Sequence, residues 1–600
     1  MKHFPAFFSI IVIIFSVGGI KGQENLRSTD FEILRKEILE NPYVQKGQVS
    51  WCFRDIQTGQ IVEEFESKKY MIPASTLKLF TTAAALELGT EFNFKNSVVY
   101  TGEIKKEKLN GDVIIKGDGD PTFGSGKAGA LSADSVLFYI YKSLIDNEIK
   151  KIKGNIVVDP FHWEYNSTVI PAAWQWEDIA NYYGAGAYGL NWRENKFEVR
   201  FGTDKERQDS AIYSIQKPWD KFIKLENNVT TILDANSNDI TFYGEPFENK
   251  ITADGFIKIG DDKILASAAL PNPPLNFGQE LKEYLVEKGI EIEGEVLIKN
   301  TTLISVIPLR IFLSPPMRLI IKEINFNSNN LFAECVAKKY GERFSSGNAS
   351  KFYSKSVANY VFDKTMKKDS FIQITDGSGL SRTNLVSTRI QTDFLRVQSK
   401  MSWFGYYLES IPKGGEEGTV KYLPKLRDFR VKSGSVNKVK AFTGYIMDSS
   451  GRQMSFSLIF NHIPLKNSEI NKMSSAFFTA VGNTNFEIPL KVFGTNLYRD
   501  TLERFPEIIA AKEELKKNAA QFFSNDEMEM KLNSEKFTYS FQGEPDVESP
   551  YFIANAVAGG ELYQIKFKYR IHAENRFAER WNTVKNEWEM ICWGDVFYKH

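Results

Sequence analysis

Cysteine and histidine are scarce in this chain, 3 and 5 residues of 600. Cys52, Cys335 and Cys592 are far apart and odd in number, which supports neither a disulfide framework nor a metal site with short ligand spacing. Five dispersed histidines give no basis for an imidazole-rich zinc centre or a histidine-based triad. Charge of one sign is also lacking: 75 Lys and Arg balance 75 Asp and Glu, with no concentrated basic stretch. Nucleic acid and anionic membranes therefore have no electrostatic reason to be partners. Internal repeats and low-complexity tracts are absent. The apolar run Phe7–Val17 is short: eleven residues rise about 16 Å as a helix, roughly half of a ~30 Å hydrocarbon core.

That run follows Lys2 and precedes Gly18, Gly19 and Gly22, a basic start, an apolar core and small residues. The pattern predicts a secretory signal peptide over residues 1–22 and an exported, periplasmic protein. No cysteine follows the run, which argues against a lipoprotein anchor. Cleavage would remove Lys2 and Lys21 and no acid, leaving the mature chain near neutral.

The remainder, with 42% apolar, 25% charged and 14% aromatic residues in the whole chain, has an ordinary globular composition. It is too long for one core. Two strand-like runs, Val49–Arg54 and Ile61–Phe65, flank Gln57-Thr58-Gly59-Gln60 and read as a hairpin. Pro73 then opens a largely apolar helical stretch through Leu86, which reads as buried. From 98 to 305 short strands alternate with Gly, Asn and Asp turns. Helical texture returns over 317–340 and 351–367, and strand texture over 429–435, 441–447 and 454–461. A polar helix over 501–523 leads into alternating segments such as Tyr563–Tyr569, which read as a separate small module.

Three short motifs carry chemistry. In Ser75-Thr76-Leu77-Lys78, helical spacing puts the lysine ammonium within reach of the serine hydroxyl, and a lysine of lowered pKa can act as its base. Ser214–Lys217 and Ser435–Lys438 share that spacing but not the context. Pro218 disfavours helix at Lys217, and Ser435 closes a strand. Only Ser75 opens a buried-type helix, where free N–H groups favour developing negative charge. Asn327-Ser328-Asn329-Asn330 heads a second helix, where a polar cluster also suits an N-cap. Val431-Lys432-Ser433-Gly434-Ser435 lies on a strand.

Together, Ser-x-x-Lys, Ser-x-Asn and Lys-Ser-Gly in this order resemble the signature of active-site serine penicillin-binding proteins and serine β-lactamases. Ser328 follows Ser75 by 253 residues (328 minus 75), too long a gap for an ordinary β-lactamase. The chain instead resembles the penicillin-binding protein 4 type, the class C low-molecular-mass D-alanyl-D-alanine carboxypeptidase/endopeptidases, which carry domains inserted between the first two motifs. Gly117–Thr122 and Thr375–Arg382 strengthen the resemblance, which covers about residues 27–495. Asn329 departs from it where the family often has Asp, and Ser433 stands for the commoner Thr.

The resemblance implies an α+β protein. Its penicillin-binding/serine β-lactamase-like transpeptidase domain, an antiparallel sheet with helices, would span 27–97 and 306–495, with β-rich inserted domains over 98–305. Residues 496–600 form a small α+β C-terminal module outside the resemblance. By resemblance, Ser75 is the nucleophile and Lys78 its base, Ser328 relays a proton to the leaving amine, and Asn330 orients Lys78 and the substrate amide. Lys432 and the Ser433 hydroxyl receive the terminal carboxylate, and Gly434-Ser435 line the site, with the N–H groups of Ser75 and Ser435 as oxyanion hole. The partners implied are peptidoglycan stem peptides and β-lactam antibiotics, with no metal and no cofactor. A β-lactamase would need a deacylating carboxylate, which no motif supplies. A non-catalytic peptidoglycan-binding module would be favoured by loss of Ser75, Lys78 or Lys432, and all three are present.

The stretch Ala173–Ile179 followed by Gly184–Gly189 is aromatic, acidic and glycine-rich. Trp174 and Trp176 read as core anchors with Asp178 solvated or capping. Alternatively, Asp178 lines the cleft and pairs with the free amine of a diaminopimelate side chain, as the resemblance implies for an acidic residue in a Trp-x-Asp setting of the inserted domain.

Overall fold

The computed structural model describes residues 24–203, 210–233, 237–260, 263–302, 305–344, 349–365 and 371–486, and five strands between 538 and 591. The chain divides into two compact units after Phe486.

In the first unit, strands β1 (Gln48–Asp55), β2 (Ile61–Phe65), β3 (Arg430–Val436), β4 (Val439–Met447) and β5 (Gln453–Asn461) form an antiparallel sheet in the order β3-β4-β5-β1-β2. β1 and β2 form the hairpin read from the sequence, and β4 and β5 meet at the turn around Gly451. Alternation sorts β1 between two layers. Trp51 and Phe53 face an aromatic core with Phe31 of helix α1 (Glu24–Glu40) and with Phe477 of the C-terminal helix of this unit, Asn467–Asn483. Ser50 and Cys52 face the other way, toward the helix Thr388–Gln398, bonding Thr388 at 2.8 Å and Thr392 at 3.3 Å. That polar layer continues from Ser457 through Gln391 to the Thr76 hydroxyl, next to Ser75.

Helix α2 (Lys78–Leu86) buries all nine of its residues, and its three consecutive alanines let neighbouring helices approach closely. The α-helix begins at Lys78. Ser75 lies in the preceding 3₁₀ turn, Ala74–Leu77, so the nucleophile candidate stands just ahead of the observed α-helix, which starts later than the stretch read from Pro73. The helical texture over 317–340 is likewise two helices, α3 (Met317–Asn327) and α4 (Asn330–Phe344), broken at Ser328, which is left-handed at φ 57°. Asn329 caps α4 through Oδ1, which accepts from the Phe332 N–H at 3.1 Å.

Residues 95–313 form further sheets. The largest, in the order Val296–Ile298, Ile156–Asp159, Val113–Lys116, Lys95–Tyr100, Ile307–Leu313, contains parallel neighbours. Parallel strands need a long crossover. The helices Ala133–Asp146 and Pro273–Glu287 lie in these connections, and their apolar faces share one core with the sheet. The strand-and-turn reading of this region thus left out two substantial helices.

The second unit contributes a five-stranded antiparallel meander, Thr538–Phe541, Tyr551–Ala558, Glu561–Tyr569, Ala578–Asn582 and Glu587–Ile591. The expected signal peptide over 1–22 and the expected helix over 501–523 lie outside the described residues. Among the described residues no helix is long and apolar enough to cross a membrane.

Candidate active site

A cleft of about 930 Å³ is lined by Ser75, Ser328, Asn330 and Ser435 on one side and by Asp178, Tyr183 and Glu194 from the 95–313 region on another. At its floor the Lys78 ammonium has three partners: Ser75 Oγ at 2.9 Å, Asn330 Oδ1 at 2.6 Å and the Ser378 carbonyl at 2.7 Å. Three acceptors match the three N–H bonds of the charged form. When the lysine is neutral, two suffice and the lone pair is left for the serine proton. Burial holds the Lys78 pKa down to about 7, partly offset by the nearby carboxylates of Asp376 and Glu334.

Those two carboxylates have no place in the three motifs. Glu334 lies one helical turn after Asn330 and accepts from the Gly377 and Ser378 N–H groups and the Tyr353 hydroxyl. Burial, and then the charge of Asp376, raise its pKa to about 7. Asp376 accepts from the Gly379 and Ser381 N–H groups, from Asn384 and from Trp174 Nε1 at 2.8 Å. The Thr375–Arg382 segment is therefore a loop folded on two buried acids, presenting the Ser378 carbonyl to Lys78. A signal for it was available, since a glutamate on an otherwise apolar helix face is rarely buried without partners.

Lys432 donates to Ser328 Oγ at 3.0 Å and to the Ser433 carbonyl at 2.7 Å. Burial, and then the charges of Lys78 and Lys440, depress its pKa well below the usual lysine range. The Ser433 hydroxyl bonds Thr419 at 2.9 Å at the cleft edge. Strand β3 is the sheet edge beside Ser75, and a Cβ on Gly434 would lie 2.8 Å from the Ser75 nitrogen. Along this edge the Val431 N–H points outward to the Pro412 carbonyl, so by alternation the Ser433 and Ser435 N–H groups point outward too. The decoy Ser214 lies on the strand Ala211–Ile215.

Asn330 spends its other amide end on the Tyr183 carbonyl, at 2.8 Å. That bond uses one of the two N–H donors of the amide and leaves the other for a substrate amide. Asp178 does not touch the Ser75–Lys78 group. It is buried in the opposite wall, bonded by the Tyr183 hydroxyl, with its pKa raised by burial against the pull of Arg382. Arg382 in turn pairs with Glu177 at 3.3 Å. Trp174 is buried and Trp176 is 54% exposed, so only the first is a core anchor. Among the described residues no cluster of His, Cys, Asp and Glu gathers as a metal site.

The D-Ala-D-Ala carboxypeptidase 3 (S13) family model matches residues 34–481. The chain belongs to that family. Membership makes it a serine-type D-alanyl-D-alanine carboxypeptidase. Its relatives include the D-alanyl-D-alanine carboxypeptidase DacB of Haemophilus influenzae, 24% identical over 426 residues, covering 69% of this chain and 85% of that protein. A D-alanyl-D-alanine carboxypeptidase of Actinomadura sp. is 23% identical over 457 residues, 71% of this chain and 79% of the relative. Among solved structures, penicillin binding protein 4 of H. influenzae superposes with a TM-score of 0.64 at 20% identity, over 76% of this chain and 99% of the other. Its complex with a β-lactam superposes at 0.60, with 21% identity, over 75% and 98%. This S13 chain therefore has the α+β penicillin-binding fold.

Proposed function

We propose that this S13 peptidase cleaves D-alanyl-D-alanine ends of peptidoglycan stem peptides through an acyl-enzyme on Ser75. The observation that carries the assignment is the 2.9 Å contact between Ser75 Oγ and a Lys78 amine held near neutrality. Neutral Lys78 takes the hydroxyl proton as Ser75 attacks the carbonyl between the two D-alanines. The oxyanion then forms between the N–H groups of Ser75 and Ser435, a donor pair worth about 10² to 10³ in rate for each member. Ser328, held by Lys432, relays to the leaving amine the proton that Lys78 took from Ser75, D-alanine departs, and water later hydrolyses the ester. Asn330 holds Lys78 through Oδ1 and orients the substrate amide through its second N–H.

Lys432 with Ser433 receives the terminal carboxylate. Lys432 has no acidic partner in its hydrogen bonds, so an arriving carboxylate supplies the missing counter-charge and favours its charged form. Asp178 serves the amine of a diaminopimelate side chain, and Arg382 beside it suits that side chain's carboxylate. In this reading residues 98–305 are inserted domains that contribute to the cleft, and residues 1–22 direct export to the periplasm.

Labelled penicillin tests the proposal. A long-lived adduct mapped to Ser75 is expected. An adduct on Ser214 or Ser435 would sink the assignment, rapid turnover would indicate a β-lactamase, and no labelling a binding module.

A further inference from the structure

Three successive non-glycine residues, Arg193, Glu194 and Asn195, hold left-handed backbone, with φ of 53°, 59° and 49°. Such a run is unfavourable for residues with a Cβ and persists only where neighbours over-determine it. Arg193 pairs with Glu280 at 2.6 Å, and Trp192 Nε1 donates to the same carboxylate at 2.6 Å. Asn195 Oδ1 accepts from the Trp192 N–H at 2.8 Å, while its Nδ2 donates to the Gly186 carbonyl at 2.9 Å. Glu194 takes no part in that scaffold. The turn sends its carboxylate into the cleft, where Oε1 pairs with Lys196 at 3.1 Å and Oε2 accepts from Asn329 Nδ2 at 3.0 Å.

Asn329 is the residue between Ser328 and Asn330. Its amide orientation is settled, because Oδ1 already caps α4, so Nδ2 must face Glu194. The neighbours on either side hold the two lysines: Ser328 Oγ accepts from Lys432 and Asn330 Oδ1 from Lys78. A carboxylate at 329 would have no donor to offer and would meet Glu194 at hydrogen-bond distance as a like charge.

We propose that Glu194 is a positioning residue that clamps the Ser328–Asn330 turn from the 95–313 region. The same contact explains why this chain carries Asn rather than Asp in the middle of its second motif. The inference rests on the acyl-transfer reading above and adds a residue to it that none of the motifs contains.

The test is a double-mutant cycle on full-length protein, reading the penicillin acylation rate and peptide turnover for Asn329→Asp, Glu194→Gln and the pair. Asn329→Asp should slow both by about tenfold or more, and the pair should regain most of that loss because Gln Nε2 can donate to the new carboxylate. Additive losses, with coupling under about twofold, would overturn the proposal. Should Asn329→Asp fail to fold by circular dichroism, Glu194→Ala removes the clamp without adding charge. A lowered kcat at unchanged KM then supports positioning, and a raised KM alone overturns it. No penicillin acylation even in the unsubstituted protein would overturn both this proposal and the reading beneath it.

Discussion

Lys78 carries the strongest residue-scale consequence. Its ordinary value is 10.5, and burial brings it to about 7 despite the pull of Asp376 and Glu334. Acylation needs the neutral amine, so the penicillin acylation rate should climb about tenfold per pH unit below 7 and level off above it. Lys78→Arg keeps a charge that no accessible pH removes, and should lose both the rise and nearly all of the activity. A stopped-flow pH series on both proteins checks this, and a flat profile in the unsubstituted enzyme would contradict Lys78 as base. The sign for stability runs the same way. Between about 7 and 10.5 the unfolded chain holds a proton that the folded chain has released, so this group's contribution to stability rises with pH across that window. The motif made the Ser75–Lys78 pairing legible, because helical spacing is a local property. The pKa was not legible, since it depends first on burial by the tertiary fold and then on Asp376 and Glu334, which lie more than two hundred and fifty residues away in sequence.

At the scale of elements, strand β3 and the 3₁₀ turn at Ser75 must approach until only a glycine fits between them. A Cβ on Gly434 would sit 2.8 Å from the Ser75 nitrogen and 2.9 Å from the Pro73 carbonyl, both backbone atoms that cannot swing aside. Gly434→Ala should therefore push β3 away and spoil the oxyanion donors more than it harms the fold. Acylation should fall by about 10² or more, as for loss of one such donor, while the thermal midpoint drops only modestly. Equal losses of activity and folded fraction would refute a local effect. On the other face of the site Gly379, at φ +81°, lies where a Cβ would strike the Ala74 carbonyl at 2.0 Å, so the Thr375–Arg382 loop meets the same turn equally closely. Strand alternation and turn residues made β1, β2, β4 and β5 readable, as every residue of β4 and β5 except one end position of each is buried. The polar cluster 327–330 marked the start of α4, but the left-handed backbone at Ser328 was not readable. Nothing in the apolar periodicity of α3 and α4 distinguishes a left-handed serine from a helical one, and only the tertiary contacts to Lys432 and Glu194 select it.

At the scale of the whole molecule, one cleft is assembled from stretches far apart in the chain. Trp174 reaches Asp376 across 202 positions and Asn330 reaches Tyr183 across 147, pairings that composition and spacing cannot reveal. Tyr183 joins the two walls: its carbonyl holds Asn330, which holds Lys78, and its hydroxyl holds Asp178. A buried carboxylate facing a peptide cleft, with its pKa raised by burial, gains most from a cationic partner that favours its charged form in a partly desolvated setting. A charged hydrogen bond of that kind is worth about 1.5–3 kcal/mol. Asp178→Asn keeps the shape and an acceptor for the Tyr183 hydroxyl but not the charge. It should lower kcat/KM about ten- to a hundredfold for stem peptides with a free side-chain amine, and leave the same peptides unaffected when that amine is acetylated. Small penicillins, which lack the amine, should acylate Ser75 at the unsubstituted rate. Equal losses on both peptides would make Asp178 a support for Tyr183 and, through it, for Asn330, and a slowed penicillin reaction would locate the damage at Lys78.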